Sequence, residues 1–200
     1  HIQRATHFVS HAWKYPFSSV VETLIQFGES HPGAYFWFDL FMNDQNNAAN
    51  LPQEWWSTTF KEAIAGIGHT LLLFSPWDDP IPMTRAWCLF EMNHTIDSQT
   101  CKMDVLLPEK ERQALKEAII KDPDAAQKVL RDVDAERAEA FKEKDKKMIF
   151  DAVREHGGFH KLNSMIKAGM RDNILALVEE FVPEEEVGKD ASEDRRKKYA

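Results

Sequence analysis

The apolar positions of the first hundred residues fall into short continuous runs separated by stretches of helical period. Ala5-Thr-His-Phe-Val-Ser10 is a short β-leaning run, and Val20, Val21, Leu24 and Phe27 then repeat at helical spacing within Phe17 to Phe27. His31-Pro-Gly33 interrupts the chain before a nearly continuous aromatic run, Ala34 to Asp39. Trp56, Phe60, Ala63 and Ile64 predict one face of a helix over Trp55 to Ile64. His69 to Ser75 predicts a third strand, Thr84 to Ile96 a third helix, and Cys101 to Leu107 a fourth strand stopped by Pro108. Strands that alternate with helices, and that are apolar throughout, predict a parallel sheet covered on both faces. The expected class is α/β, a flavodoxin-like parallel sheet of four to five strands with a C-terminal helical extension.

Beyond Pro108 the pattern is helical throughout. Asp122-Pro123 has the form of an N-cap followed by proline at the first helical position. Val129, Leu130, Val133, Ala138, Phe141, Ile149 and Val153 trace one apolar stripe that predicts a helix ending at Gly157-Gly158. A last helix is expected over Phe159 to Phe181, with Leu162, Met165, Ile166, Ile174, Leu177 and Val178 inward. The pattern thus divides the chain into an α/β domain (1–108), a helical extension packed on or beside it (109–182) and a charged, frayed tail (183–200).

Composition sharpens the division. All six tryptophans precede residue 90, whereas the second hundred residues carry 21 of the 25 Lys+Arg and 23 of the 33 Asp+Glu. A net charge of −8 argues against nucleic acid as the main partner, because phosphate recognition needs a basic surface. Two cysteines are too few for a disulfide framework and fit a reducing, cytoplasmic location. No apolar run reaches the roughly 18 residues of a membrane span, and His1 to Ser10 lacks the core of a signal peptide. The start without Met reads as a cut from a longer protein.

In an open parallel sheet, ligands bind beyond the carboxyl ends of the strands, where the strand order reverses. That rule selects Ser10, His11, Ala12 and Trp13 after the first strand and Asp39 after the second. After the third it selects Trp77, in the loop Ser75 to Pro82, and Arg85, Trp87, Cys88 and Glu91 at the next helix. Trp87 and Glu91 are four apart and share a helix face, so an indole beside a carboxylate is expected there.

Several standard sites are missing. GxGxxG, GxxxxGK[ST], CxxC, HExxH and GxSxG do not occur. The histidines are scattered, and His7 and His11 sit on a strand and its exit, where a spacing of four does not converge on a metal. No metal site is expected. The first strand ends in Ser10-His11 rather than in the acidic residues of a response-regulator receiver.

Four segments together resemble a TIR (Toll/interleukin-1 receptor) domain over about residues 5 to 108. They are Phe8-Val-Ser-His-Ala-Trp13, Phe36-Trp-Phe-Asp39, Phe60 to Gly68 leading into Leu71 to Pro76, and Arg85-Ala-Trp-Cys-Leu-Phe-Glu91-Met. Trp87-Cys88-Leu89-Phe90-Glu91 is the most specific piece and is similar to the Trp-Cys-Leu-x-Glu of plant-type members. The loop Leu40 to Gln45 has no Pro-Gly and the late Phe-Trp box is missing, so the chain departs from the adaptor branch.

The resemblance implies an NAD+ glycohydrolase acting in intracellular signalling, with cyclase activity as an option. Glu91 is then the catalytic residue, Trp87 lines its pocket, NAD+ is a substrate rather than a cofactor, and copies assemble into a homo-oligomer through TIR–TIR contacts. Loss of nicotinamide passes through an oxocarbenium-like state, and its leaving group is already a neutral pyridine. One carboxylate beside the ribose, and no general acid, meets that need. Trp77 and Trp87 are candidates to stack on the flat rings, Ser10 to Trp13 to hold phosphate or ribose, and Arg85 to face a phosphate.

Without the resemblance, each residue has an ordinary structural role. Glu91 would be a solvated helix glutamate, Trp87 core, Cys88 a small buried apolar group and Asp39 a turn cap. Arg85 would be solvated, and Asp78 and Asp79 turn formers. Two other functions fit the same fold: a non-catalytic self-association module, and a nucleoside deoxyribosyltransferase-like enzyme.

Overall fold

The computed structural model describes residues 3–42, 53–98, 100–122, 125, 133–155 and 157–181. Four parallel strands form one sheet: β1 (His7–Ser10), β2 (Phe36–Trp37), β3 (His69–Leu73) and β4 (Lys102–Leu106), in the order β2-β1-β3-β4. Phe8 pairs with Trp37 on one side and Thr70 on the other, and Ser10 pairs with Leu72. This is the flavodoxin-like order, with its reversal point between β1 and β3.

The central strands β1 and β3 are buried from their second residue on because both faces are covered, whereas the edge strand β4 carries Lys102 and Asp104 and is only half-buried. Val9, Leu71 and Leu73 meet Val20 and Leu24 of α1 (Phe17–Ser30) on one face. Phe8 and Leu72 belong to the other face's core. There they join Phe60 and Ile64 of α3 (Gln53–Ile67), Leu89 and Met92 of α4 (Ala86–Asp97), and residues of the second half. Val20 and Leu24 are one turn apart, which is why α1 offers the sheet a single stripe while Phe17 and Ile25 stay exposed.

α4 differs from the other helices. Ala86, Cys88, Leu89, Phe90, Glu91, Met92, Asn93 and Thr95 are all buried, so it is covered nearly all round. Its cover comes from α3 and from two helices of the second half, α6 (Glu143–Glu155) and α7 (Gly158–Phe181), after α5 (Glu109–Lys121). Ile149 and Ile166 have no exposed surface and lie in the same core as α4. The helical extension is therefore packed on the α/β domain and shares its largest core.

Several expectations are corrected in detail. β2 is confined to Phe36–Trp37, and Asp39 opens a short helix, α2 (Asp39–Met42), where a negative charge suits the first turn. In the second half, Asp122 is the C-cap of α5, and the helix start expected at Asp122-Pro123 lies outside the described residues. The single helix expected up to Gly157 is interrupted: Ala135–Arg137 is a 3-10 turn, and α6 starts only at Glu143.

The reason is tertiary. Glu139 donates its backbone N–H to the Thr84 carbonyl at 2.8 Å and accepts from the Ala86 N–H at 3.0 Å, so its backbone groups are committed across the chain rather than along a helix. Ala135 and Ala138 lie wholly buried beside this contact, whereas Phe141 is 93% exposed and does not join the stripe. Gly157 and Gly158, both at positive φ, do end α6, at a position where a side chain would be strained. Asn43 to Pro52, Pro123, Val129, Leu130, the side chains of Trp56, Leu177 and Val178, and the tail 183–200 lie outside the described residues.

Among the described residues no helix is long and apolar enough to cross a membrane, and no group of histidine, cysteine and acidic side chains is arranged to hold a metal ion.

Candidate active site

At the carboxyl end of β1, Ser10 Oγ donates to Glu91 Oε2 at 2.5 Å, and both residues are buried. The strand ends at the reversal point, and the all-round burial of α4 brings Glu91 to it. Burial pushes the Glu91 carboxyl up to about 8, and the charge of Asp39 adds to the rise, while the Ser10 hydrogen bond opposes it. A carboxyl that titrates near neutrality in a protein interior is a frequent mark of a functional site.

The other residues of the β1 exit gather around this pair. Trp13 Nε1 donates to Asp39 Oδ2 at 2.6 Å, which pins an indole that is otherwise 67% exposed. His11 Nδ1 lies 3.9 Å from Asp39 Oδ1, and burial holds the imidazole below its ordinary value against the pull of that carboxylate. Ala12 is buried, and its carbonyl accepts the Tyr15 N–H in a tight turn at 2.9 Å. The Cys88 thiol points at the His11 carbonyl, 3.5 Å away. Burial, and next the Glu91 charge, raise that thiol well above its ordinary value, which favours the protonated form.

Two expected residues take other partners. Trp87 packs on Phe60 and Phe90 and donates its Nε1 to Asp145 Oδ2 of α6 at 3.3 Å. Although it is one turn from Glu91, its indole belongs to the interface with the second half. The indole–carboxylate pair of this site is Trp13 with Asp39. Arg85 precedes α4 in extended conformation and forms a parallel bridge with Glu139, and its charge reaches Cys88.

Trp77 is half-buried in the loop after β3, and its backbone N–H donates to Glu111 Oε2 at 2.9 Å. Ser75 Oγ donates to Glu111 Oε1 at 3.2 Å. Tyr15 completes this clasp: its hydroxyl donates to the Ser75 carbonyl at 2.6 Å and accepts the Ser75 N–H at 2.9 Å. Sequence reasoning missed Tyr15 and Glu111. Glu111 stands in a helix rich in charge and has no distinguishing neighbour, and the role of Tyr15 depends on a contact 60 residues away.

The site thus offers two buried carboxyls at the sheet's reversal point, Glu91 and Asp39, and a fixed, exposed indole. No protein-family model, curated protein or solved structure matches this chain.

Proposed function

We propose that the chain is an NAD+ glycohydrolase of TIR type, with Glu91 as the catalytic carboxylate. The observation that carries this reading is the position of Glu91: buried, at the reversal point of a flavodoxin-like sheet, and hydrogen-bonded to the last residue of β1. The resemblance of Trp87 to Glu91 to the plant-type motif supports the same residue.

In the reaction, the bond between the ribose C1′ and the pyridinium nitrogen breaks and its electron pair neutralises the ring. Positive charge develops on the ribose, and an ionised Glu91 stabilises it. Water then adds at C1′ and releases a proton. The pyridinium cation itself favours ionisation of Glu91, so arrival of substrate supplies the charge that the buried carboxyl lacks at rest. Trp13 is the indole placed to stack against a flat ring.

The reading includes assembly of copies of the chain. Phe17, Leu40, Phe41 and Met42 are exposed beside the site, and Phe17 and Phe41 are in edge contact at 6.1 Å. Such a patch also supports a self-association module without catalysis. The test is nicotinamide release from NAD+ at high protein concentration and with crowding agents. Wild type is expected to release it, and Glu91→Ala to be slower by at least about a hundredfold. A silent wild type that still oligomerises would leave only the self-association module.

A further inference from the structure

Ser10 and Glu91 are 81 positions apart in sequence, and the fold sets the hydroxyl of one on a single oxygen of the other. Ser10 has no exposed surface and pairs with Leu72 of β3, at the end of a strand that Phe8 also ties to Trp37 of β2. A buried hydroxyl already committed to a carboxylate has no freedom to reach for a dinucleotide.

We propose that Ser10 is a positioning residue: it fixes the Oε2 edge of Glu91, so that Oε1 is the oxygen offered to the ribose. This role rests on the glycohydrolase reading. It differs from direct substrate binding, because Ser10 acts only through Glu91.

The surroundings explain why such a donor is needed. Asp39, at the start of α2, and Cys88, one turn back on α4, face the same corner. His11 follows Ser10 and lies against Asp39. Burial and the Asp39 charge both favour the protonated carboxyl, which cannot stabilise a cationic ribose. The Ser10 hydroxyl is the group that opposes them, since a donated hydrogen bond favours the ionised form.

The experiment is a pH series of kcat/KM for NAD+ with wild type, Ser10→Ala and Ser10→Thr, from pH 5.5 to 10. Ser10→Ala is expected to move the acidic limb up by about one unit, and so to lose about tenfold at pH 7. At pH 10 it recovers to within about twofold of wild type. Ser10→Thr, which keeps the hydroxyl, keeps the limb. A loss that is uniform in pH, or no loss, overturns the proposal. A second measurement needs no turnover: a ¹³C titration of the Glu91 carboxyl, identified as the resonance missing from Glu91→Gln. An unmoved midpoint in Ser10→Ala overturns the role of Ser10 even if NAD+ is cleaved. A raised midpoint in a chain that cleaves no NAD+ sustains the link to Glu91 and removes the glycohydrolase reading instead.

Discussion

Tyr15 and Ser75 are joined in both directions: the phenol donates to the Ser75 carbonyl at 2.6 Å and accepts its N–H at 2.9 Å. The contact closes the loop after β1 onto the loop after β3, across the reversal point where Glu91 sits. Burial pushes the Tyr15 phenol up, so it remains a neutral hydroxyl that can donate and accept at once.

Tyr15→Phe leaves the ring in place and strips the Ser75 N–H of its partner, while the Ser75 carbonyl keeps the Ile81 N–H. The expected cost is about 1–3 kcal/mol in urea unfolding, the range for half-buried backbone groups left without a partner. A variant as stable as wild type, with an unchanged Trp fluorescence spectrum, would show that solvent satisfies Ser75 equally well.

Stability should also depend on pH through Glu91. Its carboxyl titrates at about 8 in the folded chain, against an ordinary 4.5. Between those values the folded state holds more protons than the unfolded one, so this group's contribution falls as pH rises from 4.5 to 8 and levels off above. Glu91→Gln cannot ionise and is exempt. At pH 9 the Gln variant should melt higher than wild type by on the order of 5 °C, and the gap should close towards pH 4. Thermal melts at a pH-independent difference would refute the buried, neutral carboxyl.

The same titration shapes the proposed activity. In the free enzyme Glu91 must lose its proton to act, so kcat/KM should rise with pH through about 8. Once the pyridinium cation is bound the carboxylate is favoured, and the limb in kcat should lie at lower pH. Steady-state profiles distinguish the two limbs. Coincident limbs would mean that the substrate cation does not sense Glu91.

The two halves should not separate. α6 and α7 cover α4 with Ile149 and Ile166, both without exposed surface, and Asp145 takes the Trp87 indole N–H. A fragment ending at Pro108 should therefore lose cooperative unfolding and bind hydrophobic dyes. In the intact chain, Ile149→Ala should cost about 2–5 kcal/mol. A soluble fragment with a sharp unfolding transition would establish residues 3–108 as an independent unit.

The periodicity of the first hundred residues was sufficient for strand and helix order and for both covered faces, because each apolar run is short and each break carries proline, glycine or a polar turn. It also pointed to Ser10, Asp39 and Glu91, since the ends of parallel strands converge wherever such a sheet forms. The Gly157-Gly158 pair was legible as a stop without any tertiary information, and both glycines take positive φ in the fold. The partnerships were not legible. Trp87 and Glu91 share a helix turn, yet one bonds to Asp145 and the other to Ser10, because α4 is buried on several sides by elements far away in sequence. The stripe from Val129 to Val153 has helical spacing, but Glu139 commits its backbone to Thr84 and Ala86 and the helix does not run through. Local pattern determines which residues can form an element and which strand ends can carry a site. The environment that lifts the Glu91 carboxyl to about 8 is created only when β1, α2, α4 and the second half are packed together, since desolvation is a property of the assembled core and not of any one segment.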